Sequence, residues 1–318
     1  MNLSTALSGD TSTASDTIVS PPFWATRSGA ETYVINLAVA TASLAKDQHA
    51  TVVAMARLGI TSNGAWQDGQ LSSALPITAN GPSAWSLWQT LLHATTADIW
   101  VSPVKKPAIK LLLCDMDSTL ITTESLDELA AHTGIGEKVA AITSRAMNGE
   151  LDFIEALHER VELLKGLDYS AVEECVLKTQ YSNGARELIA HARQNGVRAV
   201  LVSGGFTPFA EHVSQTLGFD EAIANQLEIE NHKLTGRVLD PIVTKDTKLD
   251  VLRDECAKLD INSEQCCTIG DGANDIPMLQ AAGFGVAYRA KNVVLRSTPH
   301  HLTQASLDVL SEWLNWGE

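Results

Sequence analysis

Residues 111–119 read LLLCDMDST, an apolar run that ends at two aspartates, Asp115 and Asp117. A short apolar run followed abruptly by polar residues is typical of a buried β-strand, here with the aspartates at its carboxyl end. In open α/β sheets, ligands bind at the carboxyl ends of the strands. Two carboxylates about 4 Å apart repel each other by roughly 4 kcal/mol at an effective dielectric constant near 20. The pair therefore predicts a functional site with a proton or a cation between the two groups.

The charge of the chain limits the classes of partner. The 318 residues carry a formal net charge of −15. Nucleic acids and anionic membranes bind basic surfaces, so neither is an expected partner. A site for an anionic ligand in so acidic a chain needs a local cation, and this favours a metal ion.

Cysteine usage and hydropathy indicate the compartment. The five cysteines are odd in number and lack zinc spacing, so we interpret them as small apolar packing residues in a reducing environment. No apolar stretch approaches 18 residues, and residues 1–20 contain neither a basic residue nor an apolar segment typical of a signal peptide. We expect a cytoplasmic protein.

Composition divides the chain into a tail and two domains. Residues 1–20 are rich in Ser, Thr, Ala and Asp and are predicted to be a disordered tail. Five of the seven tryptophans precede residue 101, and two prolines enclose the segment Pro103–Pro107. We therefore expect a small N-terminal α/β domain over residues 21–106, with a packing or regulatory role, and a larger domain over 107–318.

Within the N-terminal domain the patterns predict three elements. Strands are expected near Thr32–Val39 and Thr51–Leu58, and a helix near Ser83–His93. No catalytic cluster of residues is evident in this part of the chain.

From residue 107 onward, strand patterns alternate with helix patterns, which predicts a doubly wound parallel sheet. A β-hairpin is expected over residues 227–238, and a helical cap is expected to be inserted over about 124–183. The four expected strands are Ile109–Cys114, Arg198–Val202, Cys266–Ile269 and Phe284–Tyr288.

The ends of two further strands carry residues suited to phosphate chemistry. Ser203 and Gly204 follow the second strand, where a hydroxyl and backbone N–H groups can hold an anion. The third strand runs into GDGAND (270–275), which adds two carboxylates. Lys248 lies in the first turn of a predicted helix, where a cation opposes the helix dipole unless it faces an anion. Each motif alone also occurs in ordinary turns, but their joint occurrence at strand ends favours a site.

These motifs resemble a known family. DMDST (115–119), SGGF (203–206), the downstream Lys248 and GDGAND (270–275) are similar in order and type to the motifs of the haloacid dehalogenase superfamily. Further likeness is to the phosphoserine phosphatases within it, over roughly residues 108–295. That likeness rests on Glu124, AMNGELDF (146–153), HERVELLKGL (158–167) and KLTG (233–236).

The resemblance implies a mechanism. Asp115 would be the nucleophile that forms an aspartyl-phosphate, and Asp117 would be the general acid and then the general base. Mg²⁺ would be held by Asp115, the backbone carbonyl of Asp117 and Asp271. Asp275 would orient this set of ligands without binding the ion directly.

It also implies how substrate is held. Ser203, Gly204 and Lys248 would bind the phosphoryl oxygens, and Asn274 would position the substrate or Lys248. Four further residues would recognise the rest of the substrate or close over it: Glu124 for its ammonium, Arg160 for its carboxylate, and Met147 and Phe153 for an apolar lid.

The implied activity is hydrolysis of O-phospho-L-serine to L-serine and phosphate, the last step of serine biosynthesis, by an enzyme that can also form a homodimer. The alternatives are a phosphoserine:homoserine phosphotransferase and a broader small-molecule phosphatase. A non-catalytic regulator is disfavoured by the intact Asp115 and Asp117, and an ion pump by the lack of membrane spans. The motif resemblance does not extend to residues 1–100, although some relatives carry a regulatory ACT-like domain in that position.

Overall fold

The computed structural model describes residues 22–38, 44–147 and 150–317. The expected tail, residue Val39 and the side chain of Met147 lie outside this description. None of the helices in the described ranges combines the length and apolar character that a membrane crossing requires.

The N-terminal part forms an antiparallel sheet with two helices. Its sheet order is β2-β4-β1-β5, and β3 also pairs with β4. Apart from the two-residue β3, the strand–helix–strand–strand–helix–strand sequence and this order are those of a ferredoxin-like arrangement. In chain order its elements are β1 (Glu31–Ala38), α1 (Leu44–Arg57), β2 (Thr61–Ser62), β3 (Gln67–Asp68), β4 (Ser73–Ala79), α2 (Gly81–Ala94) and β5 (Asp98–Pro103).

One predicted element in this part is wrong. The segment Thr51–Leu58, expected as a strand, forms the last two turns of α1 and the residue after it. The buried residues of α1 are Asp47, Thr51, Ala54 and Met55, at the i, i+4, i+7 and i+8 spacing of one helix face. The β-branched Val52 suggested a strand, but its side chain is half exposed on the opposite face. The expected first strand and the helix near Ser83–His93 correspond to β1 and α2.

The larger part is a seven-stranded sheet with helices on both faces. Its elements are β6 (Leu111–Cys114), α3 (Ser125–His132), α4 (Gly136–Met147), α5 (Phe153–Glu162), α6 (Tyr169–Leu177), α7 (Ala185–Gln194), β7 (Arg198–Phe206), α8 (Thr207–Leu217), β8 (Glu221–Glu230), β9 (Lys233–Leu239), α9 (Lys245–Leu259), β10 (Cys266–Gly270), α10 (Ile276–Ala281), β11 (Phe284–Tyr288), α11 (Asn292–Leu295), β12 (His300–Leu302) and α12 (Leu310–Trp313).

The sheet order β12-β11-β10-β6-β7-β8-β9 confirms the predicted doubly wound α/β core. The strands from β12 to β8 are parallel, and β9 returns antiparallel to β8 as the predicted hairpin, with Asn231 and His232 at its turn. All four residues of β6 are buried, as expected of a central parallel strand covered on both faces. Helices α3 to α6 lie in the chain between β6 and β7.

The strands β10, β6 and β7 are neighbours in this order, so their carboxyl ends lie side by side. These are the three strands that run into the DMDST, SGGF and GDGAND motifs. The sheet therefore brings three motifs that are far apart in the chain to one edge.

Candidate active site

A buried lysine and two aspartates form the centre of the site. Lys248 Nζ lies 2.7 Å from Asp115 Oδ1 and 2.6 Å from Asp275 Oδ1, and all three side chains are almost fully buried. Burial lowers the pKa of Lys248, but the charges of Asp115 and Asp275 outweigh burial, so the net shift is upward. The lysine is therefore a fixed positive charge beside Asp115.

Local sequence explains why Lys248 lies there. Thr244 and Thr247 form a reciprocal capping box that starts α9 at Lys245. This places Lys248 at the end of the first turn, with its backbone N–H donated to the Thr244 carbonyl. The expectation that Lys248 faces an anion near a helix start agrees with this geometry.

Three carboxylates could hold a metal ion. Asp115, Asp271 and Asp275 each offer an oxygen, and these oxygens lie within 4.8 Å of one another. The second Asp275 oxygen accepts the backbone N–H groups of Asp271 at 3.1 Å and Gly272 at 2.9 Å. The other Asp275 oxygen accepts a hydrogen bond from Lys248, so both oxygens of this carboxylate already have partners. Asp115 and Asp271 are therefore the carboxylates that can face a cation.

Asp117 lies in a different environment from Asp115. Its Oδ1 accepts the backbone N–H of Ser125 at 3.2 Å, and its Oδ2 accepts the Ser125 hydroxyl at 2.9 Å. Burial, and secondarily the charge of Glu124, raise the pKa of Asp117 to about 7, against the opposing hydrogen bonds from Ser125. Asp117 can therefore gain and lose a proton near neutrality.

The SGG segment is an irregular end of β7. Register with β8 shifts between Val202 and Phe206, so Ser203–Gly205 project out of the regular ladder. Gly205 donates its N–H to Ser203 Oγ at 2.9 Å, and Asn225 Nδ2 donates to the Gly204 carbonyl at 2.7 Å. Helix α8 begins immediately afterwards at Thr207, with Pro208 in its first turn.

A cavity of about 630 Å³ lies over these residues. Asp115, Asp117, Ser203, Gly204 and Asp271 line one end, and residues of α3, α4 and α5 line the opposite end. Of the other predicted site residues, the cavity lining includes Glu124, Phe153, Arg160 and Asn274.

The α3 and α5 end of the cavity is polar and charged. Glu124 accepts the Ser118 hydroxyl at 2.7 Å, and Arg160 donates Nε to the Ala156 carbonyl at 3.1 Å. Burial lowers the pKa of Arg160, while the charges of Asp127 and Glu124 oppose this shift. An arginine and two carboxylates thus lie together at a distance from the phosphate-binding motifs.

Phe153 lies across the cavity from the SGG segment. Asp152 and Glu155 form a capping box that starts α5 at Phe153. The Phe153 side chain is 41% exposed, and a methyl group placed on Gly204 would come within 3.5 Å of its Cζ. This position suits a lid over the site.

Asn274 and some unpredicted residues complete the lining. Asn274 faces the cavity, but no hydrogen bond links it to Lys248 in the described part of the chain, where Asp115 and Asp275 hold that lysine. The sequence analysis missed three residues with roles at the site: Ser125, Asn225 and Lys291. The sequence held a signal for Ser125. A serine hydroxyl directly after Glu124, at a predicted helix start, can donate a hydrogen bond to a nearby carboxylate.

Comparison with known proteins agrees with this geometry. Residues 112–280 match the model of the haloacid dehalogenase-like hydrolases, and the chain belongs to this family. The solved structure of a HAD family hydrolase, t0658 from Salmonella enterica serovar Typhi, has a TM-score of 0.79 at 27% identity and covers 88% of this chain and 97% of that one.

Within the family, the resemblance to phosphoserine phosphatases is confirmed. The chain is 42% identical over 205 residues to the phosphoserine phosphatase of Streptococcus thermophilus, covering 64% of this chain and 95% of that protein. It is also 42% identical over 185 residues to the phosphoserine phosphatase of Archaeoglobus fulgidus, of which it spans about half, 54%.

Proposed function

We propose that this protein hydrolyses O-phospho-L-serine to L-serine and phosphate, the last step of serine biosynthesis. One observation carries the proposal: a single cavity has Asp115, Asp117 and the SGG segment at one end, and Glu124 and Arg160 at the other. Phosphoserine has a phosphate at one end and an ammonium and a carboxylate at the other. The similarity to phosphoserine phosphatases of other organisms supports the proposal.

Asp115 is the nucleophile of the proposed reaction. Its carboxylate would attack phosphorus and form an aspartyl-phosphate. Burial and the charge of Asp275 raise the pKa of Asp115, and Lys248 at 2.7 Å opposes this shift and would stabilise the charge that develops on the phosphoryl oxygens. Ser203 and the backbone N–H of Gly204 would hold further phosphoryl oxygens.

Asp117 is the proton carrier. With a pKa of about 7 it can donate a proton to the departing serine oxygen and then accept one from the water that cleaves the aspartyl-phosphate. Ser125 fixes both oxygens of Asp117, so the acid is oriented before substrate arrives.

Mg²⁺ fits the acidic cluster. Asp115, the backbone carbonyl of Asp117 and Asp271 would hold it, with Asp275 orienting Asp271 through its backbone N–H. The ion would neutralise charge on the phosphoryl group. Burial, then the charges of Asp275 and Glu124, raise the pKa of Asp271 to about 6, and a bound cation would offset this repulsion.

At the far end of the cavity, Arg160 would bind the substrate carboxylate and Glu124 its ammonium group. Phe153, together with Met147, would exclude water while the aspartyl-phosphate exists. We further propose a packing or regulatory role for residues 21–106, a homodimer, and a cytoplasmic location, which the five free cysteines support.

The test is phosphate release from a panel of phosphomonoesters with Mg²⁺ and with excess EDTA. We expect phosphoserine to be preferred and turnover to require Mg²⁺. Asp115→Asn should retain its circular dichroism spectrum and lose essentially all turnover, and beryllium fluoride should inhibit the wild type. Substantial activity in EDTA or in Asp115→Asn would contradict the mechanism, and phosphoryl transfer to added homoserine in preference to water would favour the phosphotransferase alternative.

A further inference from the structure

The lining of the cavity is strongly acidic. Five carboxylates face it, but only two cations do, and these lie apart: Arg160 on α5 and Lys291 just before α11. Lys248 is buried, and Asp115 and Asp275 share its charge. The five carboxylates are those of Asp115, Asp117, Glu124, Asp127 and Asp271.

The backbone of Lys291 is anchored to the metal-binding end of the cavity. Its N–H donates to the Asp271 carbonyl at 3.2 Å, and its own carbonyl accepts the N–H groups of Val294 and Leu295 at 2.9 and 3.1 Å. The residue is therefore held beside Asp271, immediately before α11.

The ammonium group of Lys291 is available. The side chain is exposed, and within the described ranges no hydrogen bond or ion pair engages it. Lys291 lines the cavity together with Asp271, to whose carbonyl its backbone N–H is bonded. A free cation thus borders the end of the cavity that is suited to phosphate.

We propose that Lys291 recruits the phosphate group of the incoming substrate, and retains inorganic phosphate, at the mouth of this acidic site. The inference rests on the proposed function and adds an entry residue to it. A phosphate dianion approaching a protein of net charge −15 is repelled at long range. An exposed cation at a cleft focuses the local field and raises the association rate of anions.

This role differs from catalysis. Lys291 does not contact Asp115 or Asp117 in the described structure, so it is a positioning residue that acts before the chemical step. Because the side chain is exposed, its effect should be screened by salt within about 10 Å at 0.1 M ionic strength.

The experiment compares Lys291→Ala and Lys291→Arg with the wild type, and uses Lys178→Ala as a control with the same change in net charge. Lys178 is exposed and lies at the end of α6, outside the cavity lining. At low ionic strength, Lys291→Ala should raise the KM for phosphoserine and the inhibition constant of inorganic phosphate about three- to tenfold, with kcat within twofold. These differences should vanish in high salt, and Lys291→Arg should behave as the wild type.

Unchanged KM and phosphate inhibition in Lys291→Ala, a fall in kcat alone, or an equal effect of Lys178→Ala would each overturn the proposal. Failure of the proposed function is separable. If the wild type does not hydrolyse phosphoserine, the rise in Tm caused by inorganic phosphate with Mg²⁺ still reports phosphate binding without turnover. A smaller rise in Lys291→Ala than in Lys178→Ala supports recruitment, and equal rises refute it.

Discussion

Asp117 and Asp275 have the same side chain, but their surroundings give the two carboxyl groups different roles. Asp275 is fully buried and accepts hydrogen bonds from Lys248 and two backbone N–H groups, so it orients its neighbours. Within the described ranges Asp117 accepts hydrogen bonds from Ser125 alone, and burial, then the charge of Glu124, raise its pKa to about 7. Asp275 is therefore suited to a structural role and Asp117 to proton transfer.

Substitution of Arg160 tests the identity of the substrate at the same scale. Arg160→Ala should lower kcat/KM for phosphoserine by about 30-fold to several thousand-fold, since stranding a desolvated carboxylate costs roughly 2–5 kcal/mol and each decade is about 1.36 kcal/mol. Arg160→Lys should restore only part of this, because an ammonium group cannot supply two parallel donors. Steady-state kinetics provide the measurement.

Phosphoethanolamine is the matched control substrate because it lacks the carboxylate. Its slow hydrolysis should be nearly unchanged in Arg160→Ala. Equal losses for both substrates would indicate damage to α5, and no loss for either would show that Arg160 does not bind the substrate.

At the scale of elements, the junction of β7 and α8 has no room for a side chain. A Cβ on Gly205 would lie 2.6 Å from Asp117 Oδ2 and 2.9 Å from both Met116 Cε and Ser125 Oγ. The close approach of β7 to the DMDST segment therefore requires glycine at this position.

Gly205→Ala should displace Asp117 and reduce kcat by at least about 10²-fold, because a misplacement near 1 Å is enough for such a loss. Gly196→Ala is a poor control because Gly196 has a positive φ. Gly29→Ala, in open space and without positive φ, should leave kcat unchanged. Wild-type kcat in Gly205→Ala would show that the segment can move away without cost.

The motifs could be predicted from sequence because each is local to one strand end, and the parallel sheet brings such ends together. The contact between Lys248 and Asp275 could not, since it depends on how α9 packs against the loop after β10. The prediction of a strand at Thr51–Leu58 was wrong for a related reason. Its β-branched residues favour a strand locally, but burial of Thr51, Ala54 and Met55 along one face selects a helix.

At the scale of the whole molecule, the two sheets are joined by buried aromatic and polar contacts. The Trp100 ring centre lies 4.5 Å from that of His300 and 5.0 Å from that of Trp313. Asp98, at the start of β5, accepts four hydrogen bonds of 2.7–2.8 Å from Thr303, Gln304 and Ala305. The N-terminal part is thus packed against the β12 side of the larger sheet.

His300 in this interface should make stability depend on pH. Burial, and secondarily His301, lower its pKa to about 3, whereas an unfolded histidine titrates near about 6.5. Between these values the unfolded state binds more protons, so the free energy of unfolding falls as pH falls, by about 1.36 kcal/mol per unit. From pH 6.5 to 5 the loss should be about 1.6 kcal/mol, and above about pH 8 His300 should contribute almost no pH dependence.

Denaturant unfolding at several pH values tests this. His300→Phe should remove most of this slope, and His49→Phe, which alters an exposed histidine on α1, should retain it. Identical slopes in His300→Phe and the wild type would show that His300 is not held neutral.

The last prediction concerns a chain that begins at Pro107. It keeps β6 to β12 and every residue placed at the site, and a 205-residue segment of this chain covers 95% of the Streptococcus thermophilus relative. We expect kcat within a few-fold of the full chain. The truncation also removes Trp100 and exposes Phe284 and Trp313, at about 1.5–3 kcal/mol each. The Tm should therefore fall by roughly 6–24 °C, since 1 kcal/mol corresponds to about 2–4 °C at this size.

Asp98→Ala in the full chain separates interface loss from loss of a catalytic contribution. It breaks four hydrogen bonds between the two sheets without removing any residue of the site, so it should lower Tm and leave kcat unchanged. A truncated chain that is folded by circular dichroism but inactive would show that residues 1–106 contribute to catalysis. Both changes remove contacts between the two sheets. An unchanged Tm in both variants would therefore show that this interface adds little to the stability of the protein.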